Sequence, residues 1–508
     1  MCGIFFILLQ NDNEDLNNVN KNFQILENRG PDRGKLIITK KYIAGFQRLS
    51  INDLSYNGDQ PFYLNDGTIL ECNGEIFNYK ELIEKYNIQT ISESDCEVLI
   101  HLYIKLGIKK AVRELNGDYA FFINTPDKVH MVRDLAGVRP LFYGFTKNNN
   151  LCISSTVRSL NDLCIVIKEV PPGILTFDKN RQQIYLTSDR IISYPIKEEN
   201  SFENMLIKSV KDRLLSNRPI GCLLSGGLDS SLIASILCRL IGKENVRTYS
   251  IGFENSNDLL NAKKVSEYLG TNHNSITITE SDIFFNLNNI IKDLESYDIT
   301  TIRASAPMWL LARYIKENTE DVVLFSGEGA DELFCGYLYF HYAPNNQELL
   351  KERLRLFTQM YKYDCLRADR CISSHGLEIR VPFLDKTIIE HAFSLDPTIL
   401  CPKNNNNIEK FYIRNSFVKD YLPKEILWRR KDGFSDGVTS VKGHPWYSYY
   451  ETLEHDPSYV SREAQVYKEI YTSIFGSHDL KTPYWMPQWI DTKGDPSGRK
   501  LEIFKIDK

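Results

Sequence analysis

A chain of 508 residues is longer than one ordinary hydrophobic core supports, so two or more domains are expected. Its 42% hydrophobic and 25% charged residues fit a soluble globular protein, and a formal net charge of −5 gives no general attraction to nucleic acid or to an anionic membrane surface. No stretch approaches the roughly 20 apolar residues of a bilayer span, and the apolar run 4–9 has no basic leader before it, so neither a membrane segment nor a signal peptide is expected. Eleven irregularly spaced cysteines without a Cys-x-x-Cys pair read as reduced thiols of a cytoplasmic protein, not as a disulfide framework or a zinc site.

Up to about residue 190, short apolar runs alternate with turn residues: 3–9, 35–39, 42–48, 69–72, 120–124, 129–133 and 141–145. This spacing predicts packed antiparallel sheets, with helices near 79–86 and 95–106. The Asn-rich pieces 11–22 and 404–407 read as solvated loops. Near residue 200 the pattern changes. Phe202, Leu206, Val210 and Leu214 recur every four residues and predict an amphipathic helix. A strand at 220–224, a helix at 229–241, a strand at 247–253, a helix at 258–269 and strands at 275–278 and 322–325 then alternate as in a parallel sheet covered on both faces. The stretch 340–475 reads as mostly helical, and no internal repeat is present. We place two domains at 2–190 and 200–508, with the boundary near 195.

Cys2 follows the initiator Met1. Loss of Met1 gives a chain that begins with a thiol and a free α-amine on one residue, a nucleophile with its own base. The residues beyond it come in an ordered set: Cys2-Gly3-Ile4, Arg29-Gly30-Pro31-Asp32, Arg48-Leu49-Ser50-Ile51, Asn73-Gly74-Glu75-Ile76-Phe77-Asn78 and Ser94-Asp95-Cys96-Glu97. Over about 1–160 this set resembles the glutaminase domain of class II glutamine amidotransferases. The resemblance implies an αββα sandwich of the N-terminal nucleophile hydrolase type, with Cys2 attacking the side-chain amide of glutamine and releasing ammonia. It also implies an oxyanion hole from Asn73 and the Gly74 N–H, which stabilises charge that appears only in the transition state. Arg48 would pair with the substrate carboxylate, Asp95 would hold its ammonium, and Leu49, Ile51 and Glu75 complete the implied glutamine pocket. The sequence departs from the family pattern at Asn28, Gln47 and Thr156.

The run 220–224 leads into Ser225-Gly226-Gly227-Leu228-Asp229-Ser230-Ser231, which opens a helix. Glycines let backbone approach phosphate oxygens, a helix N-terminus adds unpaired N–H groups, and Asp229 offers the hard oxygen that Mg2+ prefers. The string resembles the loop of N-type ATP pyrophosphatases and lacks the Gly-Lys-Ser/Thr ending of a Walker loop. A second glycine turn, Ser326-Gly327-Glu328-Gly329-Ala330-Asp331-Glu332, follows the strand at 322–325 and is expected at the same sheet edge, facing the same ATP, with Asp331 as a second Mg2+ ligand. Leu224 and Ile251 are expected beside the nucleotide.

From 200 to about 440 the chain resembles asparagine synthetases. The resemblance is carried by the first glycine loop, by Tyr297-Asp298-Ile299-Thr300-Thr301-Ile302-Arg303-Ala304-Ser305, by the second glycine turn, by Glu378-Ile379-Arg380-Val381-Pro382-Phe383-Leu384-Asp385, and by Lys431 with Phe434-Ser435-Asp436-Gly437-Val438. Trp485-Met486-Pro487 and Asp495-Pro496-Ser497 extend it, and Cys335 stands where the family often has glycine. The fold class implied is a C-terminal parallel-sheet α/β domain behind the sandwich. The reaction implied is activation of the aspartate side-chain carboxylate as an acyl-adenylate, then attack by ammonia from the first domain. Lys431 would add positive charge at the phosphates, Glu328 would promote the intermediate or accept a proton, and Thr301, Arg303 and Arg380 would form the aspartate pocket. The partners implied are glutamine, aspartate and ATP, with a homodimer possible. The alternative is the same plan acting on another carboxylate.

Overall fold

The computed structural model describes residues 1–10, 14–190, 201–431, 437–439, 444–476, 478, 480 and 482–492. The expected boundary near 195, the motif residues Phe434-Ser435-Asp436 and the segment Asp495-Pro496-Ser497 lie outside these described residues. Among the described residues no helix is long and apolar enough to cross a membrane.

Among the described residues, twelve strands lie between residues 3 and 189: β1 Gly3–Leu8, β2 Arg33–Ile38, β3 Tyr42–Arg48, β4 Phe62–Tyr63, β5 Ile69–Ile76, β6 Gly117–Asn124, β7 Lys128–Arg133, β8 Phe142–Thr146, β9 Leu151–Ser154, β10 Cys164–Glu169, β11 Gly173–Asp178 and β12 Gln183–Asp189. They form two six-stranded sheets, in the orders β10-β8-β9-β1-β3-β2 and β12-β11-β7-β6-β5-β4. Each antiparallel pair follows the strand periodicity of two, and β1 shows the consequence. Ile4, Phe6 and Leu8 enter the core between the sheets with Ala44, Phe46, Ala120, Phe122 and Met131. Phe5 and Ile7 face the other way, into the core that holds Val19, Phe23 and Leu26. The outer face of the second sheet buries Leu70, Cys72, Ile76, Phe121 and Ile123 under the helices Tyr79–Tyr86, Val98–Leu106 and Ile108–Glu114. The result is helix, sheet, sheet, helix, as expected.

The reading of 11–22 as a solvated loop is corrected. Residues Leu16–Gln24 form a helix capped by the Asp15 side chain, which accepts from the Asn17 N–H. Val19 and Phe23, four apart, bury its inner face on β1, where Phe23 and Phe5 rings lie 6.0 Å apart. The asparagines obscured a two-residue apolar stripe.

The second half is built on a parallel sheet of β13 Ile220–Leu223, β14 Arg247–Gly252, β15 Asn272–Thr277, β16 Val323–Phe325 and β17 Glu378–Arg380, in the order β15-β14-β13-β16-β17. The inner strands are buried almost throughout, as a sheet covered on both faces requires, and only the edge strand β15 is polar and exposed. The chain runs outward from β13 to β14 and β15, then crosses over to β16 and β17. The crevice between β13 and β16 is therefore the topological switch point, where ligands of such sheets bind. The two glycine loops open from the carboxyl ends of these two strands. The helices Glu280–Leu294 and Ile299–Asn318 and the short strand β17 have no counterpart in the sequence reading.

Candidate active sites

β1 carries Cys2 at its amino end and β5 carries Asn73 and Gly74 opposite it. The Cys2 N–H donates to Asn73 Oδ1 at 2.9 Å, Arg29 Nε donates to the Cys2 carbonyl at 3.0 Å, and Cys2 Sγ lies 3.6 Å from the Leu49 carbonyl oxygen. Asn73 Nδ2 is buried without a hydrogen-bond partner. Gly74 has φ +153°, and a Cβ there would stand 2.2 Å from the Asp118 carbonyl oxygen, so only glycine fits. Met1 is 1% exposed, and its ammonium donates to the Leu377 carbonyl at 3.3 Å. Burial pushes the Cys2 thiol up to about 11 and the Met1 amine down to about 6. With Met1 attached, the Cys2 nitrogen is an amide and supplies no base.

The other expected glutamine contacts gather in the loops beside the thiol. Arg48 Nη1 meets Asp59 Oδ1 at 2.6 Å and the Ser55 carbonyl at 2.7 Å, while its Nη2 donates to the Asp53 carbonyl. Asp95 accepts from the Ile76 N–H at 2.6 Å and from Asn52 Nδ2 at 3.2 Å, and Asn52 also donates to Glu75. Burial raises both carboxyls, and for Glu75 the neighbouring Asp95 raises it further. Leu49 and Ile51 are buried, and the Ile51 carbonyl accepts the Asn217 N–H at 2.9 Å. Thr156 bonds Ser159 Oγ within its own turn, and the carboxylate at this seam is Glu295, which accepts from the N–H groups of Val157 and Arg158, both at 2.8 Å.

At the switch point of the parallel sheet lies a cavity of about 260 Å³. Leu224, Ser225, Gly227, Asp229, Ser230, Ile251, Ser326, Gly327, Glu328, Asp331, Lys431 and Thr301 all line it, so the structure brings most of the sequence-predicted nucleotide and aspartate residues together. Gly226 stands just behind the lining with φ +72°, and its carbonyl accepts from Arg429 Nη1 at 3.2 Å. The two loops touch: a Cβ on Gly327 would meet the Asp229 Cβ at 2.7 Å and the Ser230 nitrogen at 2.8 Å. Lys410, which the sequence reading missed, bridges the acids, with Nζ 2.6 Å from Asp229 Oδ2 and 2.7 Å from Asp331 Oδ1. Lys431 Nζ lies 2.6 Å from Asp331 Oδ2. Burial alone would raise the Asp331 carboxyl, but the Lys410 and Lys431 ammonium groups outweigh it and hold it well below the ordinary range.

Two aspartate-pocket expectations are corrected. Arg303 does not line the cavity: its fork grips Glu463, at 2.9 Å and 2.6 Å, and its guanidinium lies 3.7 Å from the centre of the Tyr447 ring. Arg380 sits on the edge strand β17 and turns to the other half of the chain. It pairs with Glu378 at 2.9 Å, donates to the carbonyls of Arg213 and Leu215, and lies 3.6 Å from Glu75. In their place the cavity presents Arg367, Asp364 and Glu332, which the sequence reading did not find. No local signal marks these residues or Lys410, whose partners are 181 and 79 positions away.

A half built around an amino-terminal thiol and an unpaired amide donor, joined to a half with a glycine-loop cradle at a parallel-sheet switch point, defines a two-site amidotransferase. A glutamine amidotransferase domain model matches residues 1–177, and an asparagine synthase model matches residues 201–358 and 344–492. The chain is 37% identical to a probable glutamine-hydrolysing asparagine synthetase of Acanthamoeba polyphaga mimivirus, over 99% of this chain and 100% of that one. It is 36% identical to the glutamine-hydrolysing asparagine synthetase of Rattus norvegicus and 35% identical to that of Homo sapiens, each over 99% of both chains. The chain belongs to the asparagine synthetase family.

Proposed function

We propose that this protein makes L-asparagine from L-aspartate with ATP and ammonia released from L-glutamine, through a β-aspartyl-adenylate, leaving AMP, pyrophosphate and glutamate. The observation that carries the reading is the cavity in which the Ser225–Ser230 loop, two lysines and two aspartates meet Glu328, Glu332 and Asp364. The relatives' names and full-length coverage support it.

In the first half, excision of Met1 turns the Cys2 nitrogen into an amine that keeps Asn73 Oδ1 as its acceptor and takes the thiol proton. The thiolate attacks the glutamine amide, and Asn73 Nδ2 with the Gly74 N–H receives the developing oxyanion. Arg48 and Asp95 hold the substrate's carboxylate and ammonium. In the second half, Leu224 and Ile251 enclose the nucleotide base, while Ser225, Gly227, Ser230, Ser326 and Gly327 receive its phosphates. Lys410 and Lys431 place positive charge where pyrophosphate departs. The donor set suits Mg2+: Asp229 and Asp331 are hard oxygen ligands, and Asp229 Oδ1 is buried without a partner. When bound, the ion would neutralise phosphate charge there. Glu328, which lines the same cavity, accepts a proton as the amide forms.

The test is a coupled assay with glutamine labelled in its amide nitrogen. Cys2→Ala is expected to lose glutamine-dependent asparagine and to keep ammonia-dependent asparagine and AMP release. Loss of both products, or AMP release from other carboxylic acids in preference to aspartate, overturns the assignment. A cytoplasmic homodimer belongs to the same proposal: all eleven thiols are free, and Ile165 and Val166 are exposed on the edge strand β10.

A further inference from the structure

Arg380 reaches from the second half into the first. Its strand, β17, is fixed at both ends: the Glu378 N–H donates to the Val322 carbonyl at 2.8 Å, and the Arg380 carbonyl accepts from the Ser326 N–H at 3.0 Å. The Arg380 side chain is fully buried. Nε donates to Glu378 Oε1 at 2.9 Å, and Nη1 donates to the carbonyls of Arg213 and Leu215. Nη2 has no hydrogen-bond partner and stands 3.6 Å from Glu75 Oε2. Glu75 is buried on β5, two residues beyond Asn73. Asn52 Nδ2 donates to both Glu75 and Asp95, so one amide ties the two acids together. Like charges held this close repel strongly where water is excluded. Burial raises the Glu75 carboxyl, and Asp95 and Glu378 raise it further, while Arg380 and then Arg139 oppose the rise.

We propose that Arg380 is a positioning residue for glutamine: from the second half it holds the Glu75 carboxylate in place, and through Asn52 the Asp95 carboxylate, so the pocket beside Cys2 is complete only when the halves are joined. The inference rests on the glutaminase reading above and names the residue by which the second half shapes that pocket. A guanidinium is planar and rigid, and the bonds of Nε and Nη1 fix its plane. Glu75 therefore stands against a cation that cannot turn away. If Glu75 moves, Asn52 moves with it, and Asp95 loses a donor. The partners of the Arg380 side chain include neither Cys2 nor Asn73, so its effect falls on holding the substrate and not on the chemistry at the thiol. Contacts made equally in the ground and transition states act on KM and leave kcat alone.

The experiment measures glutamate release by the full chain, with glutamine varied and ATP, Mg2+ and aspartate saturating. Arg380→Gln is expected to raise the KM for glutamine by about tenfold with kcat nearly unchanged. In a Glu75→Gln background the same substitution is expected to change that KM by less than about twofold, because its effect travels through the Glu75 charge. Should the buried Arg380→Gln variant fail to fold, judged by loss of the melting shift on ATP, Arg380→Lys is carried through the same cycle. It keeps the charge without the planar fork and is expected to raise KM in the same sense. A merely structural role lowers kcat with KM unmoved, or gives an effect that multiplies with that of Glu75→Gln, and either result overturns the proposal. A wild type that releases no glutamate from glutamine defeats the underlying glutaminase reading, whereas a wild type that does so with KM unmoved in the Arg380 variants defeats only the positioning role.

Discussion

Glu71 shows how one residue departs from its surroundings. It shares with Ile69 the face of β5 turned into the core between the two sheets, it is 0% exposed, and both carboxylate oxygens lack hydrogen-bond partners. Burial raises its carboxyl well above the ordinary value. A folded-state pKa above the unfolded one means that the fold binds the extra proton, so stability falls as pH rises from about 4.5 toward the raised value. Glu71→Gln is expected to leave the melting temperature unchanged near pH 4 and to raise it at pH 8, by a gain of roughly 1–3 kcal/mol. A thermal denaturation series across pH checks it, and a variant that melts lower at pH 8 refutes it. Cys335 is another local departure: its φ of +53° lies in the left-handed region that favours glycine, the residue the family often has there.

Secondary-structure elements set which loops meet. The helix Leu228–Ile241 starts directly on the first glycine loop, and the second loop presses against it because Gly327 has no side chain. Gly327→Ala is expected to force the loops apart and to lower kcat/KM for ATP in AMP formation by about 100-fold, the scale of a 1 Å misplacement. Steady-state kinetics with ATP varied would show it, and a change below threefold would mean the loops yield freely. Strongly patterned elements were legible: the expected helix at 79–86 is Tyr79–Tyr86, and the expected strands of the parallel sheet coincide with β13, β14 and β16 to within a residue or two. The three-residue β17 was not, because so short a strand has no periodicity and pairs only through its neighbour.

At the scale of the whole molecule, the two halves are bound by buried ion pairs between residues far apart in the chain. Arg29 joins Asp369 at 2.8 Å, Arg139 stands 3.8 Å from the same carboxylate, and Arg213 reaches both Asp118 at 3.2 Å and Asp385 at 2.8 Å. Arg29 also holds the Cys2 carbonyl, so one guanidinium ties Cys2 to the second half. Burial alone would raise the Asp369 carboxyl, but Arg29 and then Arg139 hold it low. Its stabilising effect is therefore complete at neutral pH and is lost as pH falls below the ordinary carboxylate range. Asp369→Ala leaves two buried guanidinium groups without their carboxylate and is expected to destabilise the protein by about 3–5 kcal/mol. Glutamine hydrolysis is expected to slow as Arg29 loses its anchor. Calorimetry with a glutaminase assay tests both, and a variant with wild-type melting and hydrolysis would show that the seam does not depend on this pair.

What the sequence determined by itself is local chemistry. A thiol at the second position, an Asn-Gly pair on a strand and a serine-glycine loop before a helix each act through neighbours in the chain, so their character is written in a few consecutive residues. The tertiary structure decided which distant charges meet. It placed Lys410 between Asp229 and Asp331, drew Arg303 to Glu463 and Arg380 to the seam, and put Arg367 in the cavity. Arginines and lysines look alike in a sequence because each finds its partner across the fold, 340 positions away for Arg29 and Asp369, and only the packing of sheets and helices brings those partners within reach.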